Sequence, residues 1–306
     1  MPITPTPSIW MNGELVPWED AKIHVLTHTL HYGTGVFEGI RAYETDQGPA
    51  IFRLTEHIER LDASARILGM ELPYSVAEIS QACKDVVADS GLDACYLRPI
   101  AYYGYGEMGL ATGACKVDVA IAAWPWGAYL GDDAVSKGVR LKVSSWQRHD
   151  HNIMPPAAKT TGNYVNSTLA KMEALKAGYD EAVMLNRAGL VSECSGENIF
   201  CSRNGVFLTP PTSSGALPGI TQHTVMQLAA DLGIEIRIGD LARSDLYVAD
   251  EIFVVGTAAE VSAVNSVDDR VVPCPGPATQ ALATAYADLV RGRNEKYRAW
   301  NELARS

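Results

Sequence analysis

The sequence predicts an α+β fold in two domains. Its 306 residues are twice a domain of roughly 150, and 47% of them are hydrophobic, enough for two real cores. Strand-like runs dominate, with too few crossover helices for a doubly wound sheet. The stretch Trp126-Gly127-Ala128-Tyr129-Leu130-Gly131-Asp132-Asp133 loses the strand pattern and carries two glycines, which marks a linker. The expected division is a small N-terminal α/β domain over 1–125, a linker over 126–135 and a larger strand-rich C-terminal domain over 136–306.

Ile9–Val16 reads as two short strands about an Asn12-Gly13 turn, because both turn residues tolerate the positive φ of a tight hairpin. In Thr55–Leu68 the residues Ile58, Leu61, Ala65 and Leu68 share one helical face, and Gly69 can stop the helix. Ser75–Ser90 starts with the Ser75-x-x-Glu78 capping box and ends before Gly91. Tyr96–Tyr103 and Val117–Trp124 suit strands and complete the first domain. Beyond the linker, Val139–Ser145, Glu181–Leu185, Asn198–Ser202, Val206–Thr209, Glu235–Ile238 and Glu251–Gly256 suit strands, while Asn163–Ala177, Thr221–Leu232 and Ala278–Val290 suit helices.

The net charge of −11 arises without long acidic runs, which argues against nucleic acid or an anionic membrane as partner. Six scattered cysteines include no C-x-x-C, so neither a disulfide framework nor a zinc site is expected and a reducing cytoplasm fits best. The segment Met1–Pro7 lacks the regions of a signal peptide and reads as an extended arm, and no run approaches the ~18 apolar residues of a membrane span. No G-x-x-x-x-G-K-[ST] or G-x-G-x-x-G is present, which counts against nucleotide binding. His149 and His151 stand two apart in a charged loop and read as solvated, so no metal site is assigned.

The residues that suit chemistry fall in a few segments. Lys159 stands in Pro155-Pro156-Ala157-Ala158-Lys159-Thr160-Thr161-Gly162-Asn163-Tyr164, where small and proline-constrained neighbours favour a formed pocket for its amine. Alone it also reads as a loop lysine. Glu193 opens the pattern Glu193-x-Ser195-x-x-Asn198-Ile199-Phe200 and alone reads equally as a strand carboxylate. Gly219-Ile220-Thr221 opens a helix whose N–H groups and positive dipole end suit a phosphate, with the Thr221 hydroxyl as one more donor. A period of two puts Tyr96, Arg98, Ile100 and Tyr102 on one strand face, so a phenol and a guanidinium together could hold a carboxylate. An edge-strand arginine before a proline is the other reading of Arg98.

With Gly215-Ala216-Leu217-Pro218-Gly219-Ile220-Thr221, these segments resemble the class IV aminotransferases, and most closely the bacterial branched-chain amino acid aminotransferases, from about Ile9 to Leu303. The resemblance implies the two-domain, D-amino acid aminotransferase-like fold of fold type IV enzymes and pyridoxal 5′-phosphate as cofactor. Lys159 matches the family's Schiff-base lysine, whose freed amine moves the proton between substrate Cα and cofactor C4′. Glu193 matches the carboxylate that keeps the pyridine nitrogen protonated and the ring an electron sink, and Tyr164 the tyrosine on the phenolic oxygen. Arg60, Gly219, Ile220, Thr221 and Thr257 match phosphate contacts.

On the substrate side, Tyr96 with the backbone of Thr257 and Ala258 matches the α-carboxylate site, and Arg98 the site for the distal carboxylate of glutamate or 2-oxoglutarate. Tyr32, Phe37, Tyr129, Tyr164 and Ala259 match apolar walls, and Gly39 a pocket glycine. Leu110 resembles a loop residue that reaches the neighbouring subunit's site, which implies at least a homodimer; the resemblance also allows a hexamer. The implied reaction is ping-pong transfer of the amino group of leucine, isoleucine or valine to 2-oxoglutarate. Two positions depart from the pattern: Gln222 stands where the broad class has Lys or Arg, and the loop Tyr105–Ala114 differs from the usual branched-chain version. A D-amino acid or (R)-amine aminotransferase of the same fold is the first alternative, since only the pocket decides between them. An aminodeoxychorismate lyase and a non-catalytic phosphate-binding protein stand behind it.

Overall fold

Contacts divide the chain into two units that are not consecutive along it in this computed structural model, which describes residues 3–127, 130 and 137–305. The first unit holds Met1–Trp126, Ala158–Asn163 and Leu289–Ser306, and the second Gly127–Ala157 and Tyr164–Asp288. Most of the 126–135 linker, Tyr129 included, lies outside the described residues, as do Met1 and Pro2 of the N-terminal arm.

The first unit opens with β1 (Ser8–Met11) and β2 (Glu14–Pro17), which pair antiparallel through the expected turn. Asn12 and Gly13 have φ of 49° and 106°, the left-handed pair that a two-residue hairpin requires. Next come α1 (His28–Tyr32), β3 (Gly35–Phe37), β4 (Ile40–Thr45), β5 (Gly48–Phe52), α2 (Leu54–Ile67), α3 (Val76–Ser90), β6 (Cys95–Tyr103) and β7 (Val117–Trp124). The sheet runs from the C-terminal strand Asn301–Leu303 through β5, β4, β6, β7 and β1 to β2, and β3 pairs with the same edge of β6 that β4 uses. Arg98 therefore sits on a central strand, not an edge.

The proline after it is tolerated because the ladder is broken there. β4 pairs with Cys95–Leu97 and β3 with Ile100–Tyr102, leaving Glu38 and Gly39 opposite Arg98 and Pro99. The Glu38 N–H donates to the Pro99 carbonyl at 2.8 Å, and the return bond of that pair is the one proline cannot make.

Alternate residues of β6 turn Leu97 and Ala101 into a core shared with Ile58, Leu61 and Ala65 of α2 and Ile79, Cys83 and Val86 of α3. The capping box of α3 forms as expected, with Gly91 in the left-handed conformation at its end. Helix α2, which carries Arg60, is anchored at its start by the C-terminal segment. Glu302 accepts from both the N–H and the hydroxyl of Thr55, and the Arg53 guanidinium lies 4.5 Å from the Trp300 ring centre.

The second unit contains β8 (Val139–Val143), α4 (Tyr164–Lys176), β9 (Glu181–Leu185), β10 (Val191–Cys194), β11 (Asn198–Arg203), β12 (Val206–Thr209), α5 (Ile220–Asp231), β13 (Ile236–Ile238), α6 (Arg243–Tyr247), β14 (Glu251–Gly256), β15 (Glu260–Val267), β16 (Arg270–Val271) and α7 (Pro277–Val290). Its sheet is mixed, in the order β10-β9-β8-β15-β14-β11-β12-β13, with parallel pairs at β8/β9, β8/β15 and β12/β13. The strands that periodicity did not single out, β3, β4, β5, β10 and β15, are short or buried nearly throughout. Burial on both faces removes the alternation that marks a strand.

Replacing Ile58 by alanine should destabilise the first unit by about 2–5 kcal/mol, because it empties a fully buried volume beneath the sheet. The half-exposed Ile67 of the same helix should tolerate alanine within about 0.5 kcal/mol. Denaturant titration of the two variants measures the contrast.

Candidate active site

The lysine segment is an added edge on the first unit. Phe37 N–H donates to the Lys159 carbonyl at 3.0 Å, Thr161 exchanges bonds with Gly33 and Gly35, and the Lys159 N–H donates to the buried Ser64 hydroxyl at 3.0 Å. Close approach requires glycine: a Cβ at Gly33, where φ is 66°, would lie 2.9 Å from Gly162 Cα. The backbone of Lys159 is therefore fixed on both sides. Its Nζ lies 5.3 Å from the centre of the Phe37 ring.

Glu38 fills the gap between β3 and β4 with a fully buried carboxylate. Arg60 grips it through Nε and one terminal nitrogen at 2.7 and 2.8 Å, and His57 donates from Nδ1 at 2.7 Å. Burial alone would push this carboxyl up, but the Arg60 charge and the His57 contact hold it well below the usual carboxylate range. Burial pushes His57 down despite Glu38, so the imidazole is a neutral donor. The guanidinium expected at a phosphate is thus oriented by a carboxylate two residues before Ile40.

On the outward face of β6, Arg98 sits among aromatic rings. Its guanidinium lies 4.8 Å from the Phe37 ring centre, 5.3 Å from Tyr96 and 6.0 Å from Trp124, and it donates to the Tyr96 hydroxyl at 3.3 Å. Trp126 stacks on Tyr96 at 4.5 Å. A Cβ at Gly39 would come within 1.9 Å of the Tyr96 hydroxyl, so glycine here admits that phenol. Tyr32 on α1 and Leu110 in the 105–114 loop are exposed, Leu110 to 88%.

In the second unit Glu193 is buried at the end of β10. Arg148 donates to its Oε1 at 2.8 Å and the Leu217 N–H to its Oε2 at 3.0 Å, while Arg148 also donates to Ser167 on α4 at 3.1 Å. Two donors on a charged acid keep it an acceptor, which is the chemistry a protonated ring nitrogen needs. Tyr164 is the first residue of α4. Gly219 precedes α5 with no side-chain cap, and the first helical bond runs from the His223 N–H to the Gly219 carbonyl. The amides of Ile220 and Thr221 are thus among those a helix cannot satisfy itself, beside a buried Thr221 hydroxyl. Gln222 donates to the Thr209 hydroxyl at 2.8 Å instead of supplying a cation.

Thr257, Ala258 and Ala259 form the tight turn between β14 and β15, closed by Glu260 at φ 53°. Among the described residues no hydrogen bond uses the Thr257 or Ala258 N–H. Against this turn lies Glu197, whose Cγ would be 3.6 Å from a Cβ at Gly256. Burial, then the neighbouring charge of Glu181, pushes the Glu197 carboxyl well up.

Sequence reasoning missed Glu38, His57, Ser64 and Arg148. Each acts through a partner distant in sequence, and the one local signal was a charged residue, Glu38, inside an otherwise apolar run.

Exchanging Glu38 for glutamine leaves Arg60 without its counter-charge in a buried site, and should destabilise the protein by roughly 3 kcal/mol, read from denaturation midpoints. Glu197 has the opposite sign of pH dependence. Its folded form binds the proton more tightly than the unfolded chain, so its contribution is full below the ordinary carboxyl value of 4.5 and is lost as pH rises toward its elevated folded value. Glu197→Gln should flatten the decline in melting temperature as pH rises above 4.5; an unaltered slope would mean that Glu197 is already ionised.

Residues 35–267 match the family model of amino-transferase class IV. The branched-chain-amino-acid aminotransferase of Pseudomonas aeruginosa is 48% identical over 299 residues, 97% of each chain. The crystal structure of the Escherichia coli branched-chain amino acid aminotransferase superposes with a TM-score of 0.96 at 45% identity, covering 98% of this chain and 100% of that one. The branched-chain amino acid aminotransferase of Thermobaculum terrenum, solved in its PLP-bound holo-form, gives 0.92 at 34% identity over 98% of this chain and 99% of that one. With Lys159 seated in a rigid edge, a doubly anchored Glu193 and likeness along nearly its whole length, the chain belongs to the class IV aminotransferase family, of fold type IV.

Proposed function

We propose that this chain transfers the amino group of L-leucine, L-isoleucine or L-valine to 2-oxoglutarate with pyridoxal 5′-phosphate, in two alternating half-reactions that give the branched-chain 2-oxo acid and L-glutamate. The observation that carries this reading is Arg98 recessed among Phe37, Tyr96 and Trp124. One surface then offers apolar walls to a branched side chain and a cation to the distal carboxylate of the acceptor. A pocket with walls alone would leave that carboxylate unpaired, and a pocket with an open cation would leave it solvated in competition with leucine.

The residues fit the cofactor in chemistry. The α5 amides, the Thr221 and Thr257 hydroxyls and the Arg60 guanidinium are donors suited to a phosphate dianion, and Glu193 is the acceptor for the ring N–H. Tyr164 is assigned the phenolic oxygen. When bound, the cofactor supplies an electron sink that acidifies the substrate's α-hydrogen. Lys159 holds the cofactor's aldehyde carbon and, once freed, moves the proton at the substrate Cα; its anchored backbone lets the amine swing without displacing its segment. Tyr96 and the Thr257 and Ala258 amides take the α-carboxylate, with Ala259 and Tyr129 as further walls; Tyr129 lies outside the described residues.

The reading includes a homodimer in the cytoplasm. Ile23, Val25, Leu26, Leu30, Tyr32 and Leu110 are exposed apolar side chains on the first unit, and a second copy would cover them and receive Leu110. No helix of the described residues is long and apolar enough to cross a membrane.

Lys159→Ala should abolish turnover in an assay coupling L-leucine to 2-oxoglutarate, and normal turnover would reject the assignment. Arg98→Leu separates the two substrates: kcat/KM for 2-oxoglutarate should fall about 50-fold, the worth of one charge-assisted bond, while that for L-leucine changes about threefold or less.

A further inference from the structure

Asn198, the first residue of β11, belongs to the motif that carries Glu193 but has no part in the chemistry assigned above. Its side chain is buried and used at both ends. The amide nitrogen donates to the Leu217 carbonyl at 3.1 Å, and the N–H of the same Leu217 donates to Glu193 Oε2 at 3.0 Å. The amide oxygen is pressed against Gly219, where a Cβ would lie only 1.9 Å away. Gly219 is the residue on which α5 begins.

One side chain therefore bonds Leu217 and lies against Gly219, touching the Leu217–Thr221 segment at both places. On one side is the N–H that fixes a Glu193 oxygen, the other oxygen being fixed by Arg148 and through it by Ser167. On the other side is the start of α5, whose first amides lie outside its own ladder of hydrogen bonds. β11 is a firm base for this, since Asn198 pairs in register with Val255 of β14. The segment contains Pro218 followed by Gly219, a pairing that favours a turn rather than a regular element.

We infer that Asn198 is a positioning residue that sets the ring-nitrogen carboxylate and the phosphate-end helix at a fixed separation, so that the two ends of the cofactor are gripped together. This rests on the functional reading above. Loss of Asn198 frees Leu217, which releases one Glu193 oxygen and displaces the α5 amides in the same event. Glu193→Gln would disturb the ring end alone, and Thr221→Ala the phosphate end alone.

The test uses Asn198→Ala, Asn198→Asp and Gly219→Ala. Aspartate keeps the volume but loses the donor, and alanine at 219 drives the Asn198 amide away while leaving it in the chain. Native-state hydrogen exchange on the cofactor-free protein reads the Leu217 amide. Titration with pyridoxal 5′-phosphate and with pyridoxal reads the preference for the phosphorylated form. In all three variants Leu217 should exchange at least tenfold faster with α4 unaffected, and the preference should shrink at least tenfold. Retention of either Leu217 protection or the preference in Asn198→Ala, or wild-type behaviour of Asn198→Asp, overturns the inference. A wild-type protein that binds no pyridoxal 5′-phosphate would instead overturn the functional reading, and the Leu217 exchange would still decide the role of Asn198.

Discussion

A carboxylate with no access to water is tolerated only beside a cation and with its oxygens hydrogen-bonded. Glu38 meets that requirement through Arg60, His57 and its neighbour's N–H, and the geometry of the first unit follows from it. The two-pronged Arg60 contact fixes how α2 lies against the sheet. Glu38 lies where the ladder on β6 is interrupted, opposite the Pro99 that has no N–H to offer. The residues on either side, Phe37 and Gly39, are then placed: Phe37 binds the Lys159 carbonyl and faces Arg98, and Gly39 receives the Tyr96 hydroxyl. The arginine assigned to phosphate, the lysine and the substrate-side residues thus share one anchor that touches none of the chemistry.

The second unit uses the same physics with two outcomes. Glu193 and Glu197 are four residues apart and both buried. Glu193 has Arg148 and a backbone N–H on its oxygens and is fitted to face positive charge. Glu197 is pushed up by burial and by another carboxylate where it packs beside Gly256, next to the Thr257 turn. A negative charge there would repel whatever carboxylate the turn's amides receive. The partners set the two acids apart, although the two residues look alike in sequence.

Much of this was legible in the sequence where the determinants are local. The Asn12-Gly13 hairpin, the Ser75 capping box and the alternation of β6 form as their residues dictate, because turn and capping chemistry act within a few positions. The lysine and glutamate motifs were legible as patterns, and the comparisons place the chain in their family. The rest depended on distant partners. Glu38 reads as an ordinary strand glutamate until His57 and Arg60 come alongside it, and Arg148 reads as one charge in a charged loop until Glu193 meets it. Arg98 read equally well as an edge residue, because the broken ladder that admits Pro99 on a central strand lies far upstream, at Glu38. Near-continuous burial hid β5, β10 and β15, and β3 was hidden by its length.

The most direct measurement loads the purified protein with pyridoxal 5′-phosphate, adds L-leucine with no 2-oxo acid present, and quantifies the 2-oxo acid released. The account predicts close to one equivalent of 4-methyl-2-oxopentanoate per chain, then no more until 2-oxoglutarate is supplied, whereupon L-glutamate appears in matching amount. Release from a D-amino acid or an (R)-amine but none from L-leucine would contradict it.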